Sequence, residues 1–585
     1  MRFPIQHWRV WLLAVVLPLA SAVAWAQEGT AIDLDAPKEV APLLKQYVHL
    51  LNMEATAIPA DGPDRAALVR RTRGEVADLL ATEGYFSPQI RIDRNDEAHW
   101  HLMVEPGTRA TVEAVDIEFQ GEIASDADEA QAAWRDELRR QWTLPVDAPF
   151  RQADWNAAKD ALREALRIER YAAAKLVTTR ADVDPDTARV RLTVVADSGP
   201  TFRLGKLEVS GLATLPPDFV ARFDTLKEGG VYKRRDLLAF QEILQTAAQF
   251  SVVVVSIDPD PARADAVPVQ VTVREAQPQR LGFGLGASSN TGYRVESTYR
   301  HVNLLQRGWE LSSGLRLEQR RQALFTDLFL PPRDDPYVRD SVGVGLERSD
   351  LEGLKIYTEA VGVARNIRRE HTETQFTVRV QHEETRPDDA ETSRYSTLTL
   401  NWGRVWRAVD NVLNPRRGHV FEIQLGGGVG LSSQAHDFGR LYGRYQHYFT
   451  LGKDNVLALR GEAGATLAET RDGVPQDFLF RAGGTQSVRG YAYRSLGAPE
   501  GTATVGARYL ATASAEYVRW IKPTAGLALF VDTGDAADAR EAFKLHTGYG
   551  LGGRWLSPAG PLAIDLAWAP HEKRPRLHFG IAVAF

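Results

Sequence analysis

Cysteine is absent from all 585 residues. That excludes a disulfide framework, a thiolate zinc cluster and thiol chemistry, and no cysteine follows the N-terminal segment to carry a lipid. An excess of charge of either sign is missing as well: 70 Lys and Arg stand against 76 Asp and Glu. A dominant nucleic-acid surface is therefore not expected, nor is a nucleic-acid partner. Beyond the first 26 residues no apolar run approaches the roughly 20 residues of a spanning helix. Any later entry into a membrane must use strands. Enzyme signatures are missing too: there is no glycine-serine-glycine elbow, no His-Glu-x-x-His and no phosphate-binding loop. Gly282, Gly284 and Gly286 imitate a nucleotide-binding pattern only superficially, because Leu281, Phe283 and Leu285 alternate between them. His447 and Asp437 have no nucleophile near them in a recognisable pattern. The expectation is no enzyme, no cofactor and no metal site.

What is present begins with an export signal over 1–26. Arg2 and Arg9 supply positive charge, residues 10–24 are mainly apolar, and Ala24-Trp25-Ala26 fits the small-x-small cleavage pattern, so cleavage is expected after Ala26. The mean hydropathy of −0.28 suits a soluble protein, but also a β-barrel, whose alternating strands average out.

From 27 to 276 the chain alternates helical and strand patterns, and the order repeats. Phe150, Trp155 and Leu162 are spaced by five and seven, as are Tyr232, Leu237 and Leu244. Each helix is followed by an aromatic (Tyr85, Tyr171, Phe250), and each copy closes on a strand such as Val190-Arg191-Leu192-Thr193-Val194. Strand, two helices and two strands per copy make a small α+β module, with expected copies at 27–111, 112–201 and 202–276. The aromatic and leucine positions read as core. The exposed sheet edges of such modules accept strands from partners; the sequence does not say which edge is open.

After Gln277 the texture changes. Glycine rises and two-residue alternation takes over: Phe421, Ile423 and Leu425 alternate with Glu422 and Gln424, and Leu562, Ile564, Leu566 and Trp568 alternate with Ala563, Asp565 and Ala567. One face suits lipid and the other a polar lumen. The rival is a large soluble β-sandwich. The C-terminal Phe585, ending the last strand on its apolar register, favours the barrel. At roughly 19 residues per strand and connection, 277–585 holds about 16 antiparallel strands.

Four stretches carry a resemblance: Val488-Arg489-Gly490-Tyr491 behind Gly483-Gly484; Phe530-Val531-Asp532-Thr533-Gly534; Gly548-Tyr549-Gly550-Leu551-Gly552-Gly553-Arg554-Trp555 with its Pro-Ala-Gly turn; and Asn414-Pro415-Arg416-Arg417-Gly418. Together, in this order and with Phe585, they resemble the outer-membrane assembly superfamily, whose N-terminal repeats are polypeptide-transport-associated modules. The resemblance implies a Gram-negative outer-membrane barrel with its modules in the periplasm. It implies that Val488, Arg489, Gly490 and Tyr491 form the tip of a loop folded back into the lumen, with Asp532 and Glu516 as carboxylate partners of Arg489. The geometry to test is Arg489 bridging one or both, since an unpaired buried charge is costly. A lateral seam is expected between the first strand (Leu281, Gly282, Phe283, Gly284) and the last (Phe579, Phe585), where a glycine-rich strand makes few side-chain contacts.

Three modules and a barrel of this length resemble the TamA branch, the translocation and assembly module. The resemblance implies help in inserting autotransporters and other barrel proteins, with an inner-membrane-anchored TamB-like periplasmic partner, unfolded outer-membrane protein clients and outer-membrane lipids. The alternatives are a general insertase of the BamA type, which usually has five modules, a two-partner-secretion transporter or pore for one substrate, usually with two, and a lipid-carrying or tethering bridge.

Overall fold

The structure, a computed structural model, describes residues 32–53, 62–94, 100–125, 129–558 and 560–581. Ala26 and Phe585, named above, lie outside the described residues.

Among the described residues the N-terminal half contains three three-stranded sheets of one topology. In each, the third strand lies in the middle, parallel to the first and antiparallel to the second. The strands are Ile32–Asp35, Gln89–Arg94 and Trp100–Glu105; then Thr111–Gln120, Lys175–Asp184 and Arg189–Asp197; then Leu204–Ser210, Phe250–Ile257 and Val267–Glu275. The central position explains why the closing strand of each copy is so apolar: Val190, Leu192, Val194 and Ala196 are all buried at alternate positions. The helix Gln152–Arg167 places Trp155, Ala158, Leu162 and Leu166 on that face at helical spacing. All six residues of the five-and-seven repeat are buried.

The third sheet departs from the repeat. In place of a first α-helix it has the short 3-10 turn Val220–Phe223. Pro216 and Pro217 precede this segment and Gly229-Gly230 follow it, bounding it with residues that do not extend a helix. Glu275 anchors the segment ahead of the turn, accepting from the amides of Ala213, Thr214 and Leu215 and from the Thr214 hydroxyl. Burial alone would raise the Glu275 pKa, but these donors hold it below the usual range.

The first two sheets form one compact unit and the third sheet with the barrel forms another. Within the second unit, the turn after the second barrel strand docks on the third sheet's module. Gln249 Nε2 donates to the Gly308 carbonyl at 2.8 Å, and Asn303 Nδ2 donates to Thr214 Oγ1 at 2.9 Å. A Cβ on Gly308 would sit 2.2 Å from the Phe219 ring, so only glycine allows this contact.

From Gln279 to Ile581 one sheet of 16 antiparallel strands runs in chain order. The first is Gln279–Ser288 and the second Gly292–Leu304. The fifth to eighth are Val338–Leu351, Leu354–Arg368, Thr372–Pro387 and Ser393–Val409. The eleventh to sixteenth are Asn455–Leu467, Tyr509–Lys522, Ala525–Ala537, His546–Ser557, Gly560–Trp568 and Pro575–Ile581. Alternation sets the two faces. On Ala525–Ala537, Leu527, Leu529 and Val531 point out and are exposed, whereas Ala528, Phe530 and Asp532 point in and are buried. Because the first strand follows the last module strand after three residues, odd-numbered strands run away from the third module and even-numbered strands return.

Candidate functional site

The longest connection among the described residues, 468–508, joins the eleventh and twelfth strands at the end of the barrel far from the third module. It turns inward. Phe480 pairs with Ala507 and Ala482 with Leu496 as isolated bridges, which fold the segment on itself. Phe480, Val488, Tyr491 and Leu496 then pack with Leu354 and Ile356 of the sixth strand in one buried cluster.

At its tip Arg489 is 5% exposed. Its Nε and Nη2 reach the two Asp532 oxygens at 2.7 and 2.9 Å, a bidentate fork. Its Nη1 reaches Glu516 at 2.7 Å and Asp565 at 2.9 Å. The guanidinium carbon lies 3.5 Å from the centre of the Phe530 ring, and the Arg489 amide donates to Asp532 at 3.1 Å. Burial opposes the charged form, but the Asp532 bonds and the Glu516 and Asp565 charges outweigh it and push the Arg489 pKa up. Arg554 ties Glu516 to Asp565 from the other side, at 2.7 and 2.5 Å. Arg460 donates to the Ser487 carbonyl at 3.0 Å, bringing a third guanidinium to the three carboxylates.

The wall makes room for this tip with glycine. A Cβ on Gly548 would stand 1.8 Å from the Arg489 carbonyl oxygen. Gly548, Gly550 and Gly552 are the inward positions of the fourteenth strand, while Tyr549, Leu551 and Trp555 point out, exposed. The Gly490 φ of +99° puts the tip in a backbone region that favours glycine.

The structure thus brings Arg489 to both Asp532 and Glu516, with Val488 and Tyr491 buried beside it. The sequence reading missed Asp565, Arg554 and His578. Asp565 carried a readable signal, a carboxylate on the inward face of an otherwise aliphatic strand; its nearness to Arg489 needed the register that sets it opposite Gly552.

The second feature is the seam. Among the described residues no backbone ladder joins Gln279–Ser288 to Pro575–Ile581, which stand at the two ends of the strand order. One side chain bridges them instead: Ser289 Oγ accepts from the Phe579 amide at 3.3 Å and donates to its carbonyl at 3.4 Å. Leu281, Phe283 and Leu285 point outward, with Phe283 and Leu285 at 79% and 88% exposure. Gly282, Gly284 and Gly286 therefore occupy the inward face, without side chains. The inner loop touches both sides of this seam within six residues. Asn290 Nδ2 donates to Thr485 Oγ1 at 3.2 Å, and the Gly490 amide donates to His578 Nε2 at 2.9 Å.

Below the tip lies a cavity of about 330 Å³, lined among others by Arg444, Arg460, Trp520, Asp565 and His578. Arg489 and Arg554 meet the Glu516 and Asp565 carboxylates in its wall, and among the described residues no group of His, Asp and Glu is placed to hold a metal.

Residues 277–585 match the Omp85 superfamily domain. The outer membrane protein assembly factor BamA of Nitratidesulfovibrio vulgaris is 32% identical over 173 residues, 28% of this chain, and the match spans only 22% of that relative's length. The crystal structure of BamA from Haemophilus ducreyi lacking POTRA domains 1–3 superposes with a TM-score of 0.66 at 16% identity, covering 80% of this chain and 98% of that one. At that identity the likeness is one of fold.

Proposed function

The chain belongs to the Omp85 superfamily, and from that premise we propose that it assists the insertion of other barrel proteins into the outer membrane by lending them the edge of its first strand. The barrel lies in the outer membrane and the N-terminal modules in the periplasm. The observation that carries the reading is the seam, where Ser289 stands in for a ladder. An unpaired strand edge in lipid leaves amides and carbonyls without partners, which is costly. A client strand that pairs there satisfies them, and burial of the client's apolar face supplies the drive without a nucleotide. The inner loop, bonded to Asn290 on one side and His578 on the other, holds the seam until a client arrives.

Within the superfamily we favour the TamA-like role, an outer-membrane subunit working with a TamB-like partner anchored in the inner membrane. Three modules support that branch over the five usual for a general insertase. The relative named an assembly factor favours assembly over secretion of a single substrate. In-cell photocrosslinking separates these. A crosslinker at Leu285 should capture nascent barrel proteins, and one between 85 and 92 should capture a large β-rich inner-membrane-anchored protein. Outer-membrane lipoproteins at the second site would instead indicate the general insertase, and one secreted protein at both sites the dedicated transporter.

A further inference from the structure

The wall formed by the fifth to eighth strands carries its outward side chains in straight cross-strand rows. One row is wholly aliphatic: Val344, Val361, Val380 and Leu398. Two rows nearer the cell surface the chemistry changes to Arg348, Tyr357, Glu384 and Arg394, with Lys355 and Arg386 in the row beyond. The guanidinium carbons of Arg348 and Arg386 flank the Tyr357 ring, 5.5 and 5.1 Å from its centre. Arg386 and Arg394 share Glu384, Arg394 at 3.2 Å. The Glu384 side chain is 16% exposed under Arg386 and Arg394 at 48% and 62%. Lys355 is occupied by Asp388 at 3.0 Å; Glu359 lies one row below and Asp350 beside Lys355.

Two guanidiniums thus share one carboxylate at the upper margin of the apolar band, and a third, Arg348, lies across the Tyr357 ring from Arg386. The same face is different at its periplasmic end. There Asp340 and Arg365 close a pair at 2.8 and 2.9 Å, and Arg404 lies over the Trp406 ring. Charges on a lipid-facing wall cost roughly 2–4 kcal/mol at mid-bilayer and little near the headgroups. Arginines at the upper margin are therefore tolerated there, where they can face anionic headgroups of that leaflet. Guanidinium forks match phosphate oxygens. With strands about 4.8 Å apart, Arg348 and Arg394 are separated by about 14 Å, wide enough for two phosphates on one sugar headgroup. We propose that Arg348, Arg386 and Arg394 form a binding site for a phosphorylated glycolipid of the outer leaflet. The site lies on a wall away from the seam and does not depend on the function assigned to the seam.

The test uses the full chain, freed of lipid and placed in nanodiscs, with bound lipid counted by native mass spectrometry. The probes are bisphosphorylated lipid A, its dephosphorylated form and phosphatidylglycerol. Lipid A should bind at least about tenfold better than the other two, and Arg348→Gln with Arg394→Gln should remove that preference while Arg404→Gln keeps it. Arg348→Gln alone, which leaves no carboxylate without its partner, should lower it in the same direction should the double variant fail to fold. Equal binding of the dephosphorylated lipid, equal binding of phosphatidylglycerol, or the same loss in Arg404→Gln overturns the proposal.

Discussion

Arg489 holds the inner loop through a fork to Asp532, single bonds to Glu516 and Asp565, and a ring contact with Phe530. Substitution separates these. Arg489→Ala leaves three carboxylates facing Arg554 and Arg460, and should destabilise the docked loop by about 3–5 kcal/mol. Arg489→Lys keeps the charge but loses the fork, and should cost about 1.5–3 kcal/mol. Labelling of Ser487→Cys by an impermeant maleimide reads both: fast in Arg489→Ala, intermediate in Arg489→Lys, slow in the parent. Equal labelling in all three would mean the loop is held by its apolar packing alone. At this scale the motif order was enough to name Arg489, Asp532 and Glu516. Asp565, Arg554 and His578 were hidden because their positions follow from register, and a strand's neighbour across the sheet is not written in its own sequence.

Among the elements, the sheet order answers a question the sequence left open. The first and second strands of each module are the edges, and one edge is already covered. In Phe250–Ile257 the Val255 amide donates to Gln241 Oε1 at 2.9 Å, and Gln245 Nε2 reaches the Val253 carbonyl at 3.5 Å. Both glutamines belong to the helix Arg234–Thr246, so this edge of the third module is closed by its own helix. Gln241→Ala should speed hydrogen exchange at the Val255 amide roughly 2- to 10-fold, the worth of one hydrogen bond; an unchanged rate would show the edge is open. The seam has the same character, a side chain doing the work of a ladder. Ser289→Ala removes both bonds to Phe579 and should raise the frequency of conductance steps in planar bilayers several-fold, by the same magnitude. No change would place the closure elsewhere. The repeats were readable because core spacing is local. The missing helix of the third module was less so, since Pro216-Pro217 limits a helix without forbidding one.

For the whole molecule, the strand alternation and glycine content announced a barrel, and the 16-stranded sheet matches the number that strand length implied. Partners and clients entered only through the resemblance, because they depend on surfaces whose complement lies in other chains. The central claim is that the seam opens for clients, and the absence of cysteine makes it directly testable. Cysteines at Ser289 and Phe579, joined oxidatively in the membrane, should abolish assembly of client barrels, and reductant should restore it. Undiminished assembly by the locked protein would contradict the account.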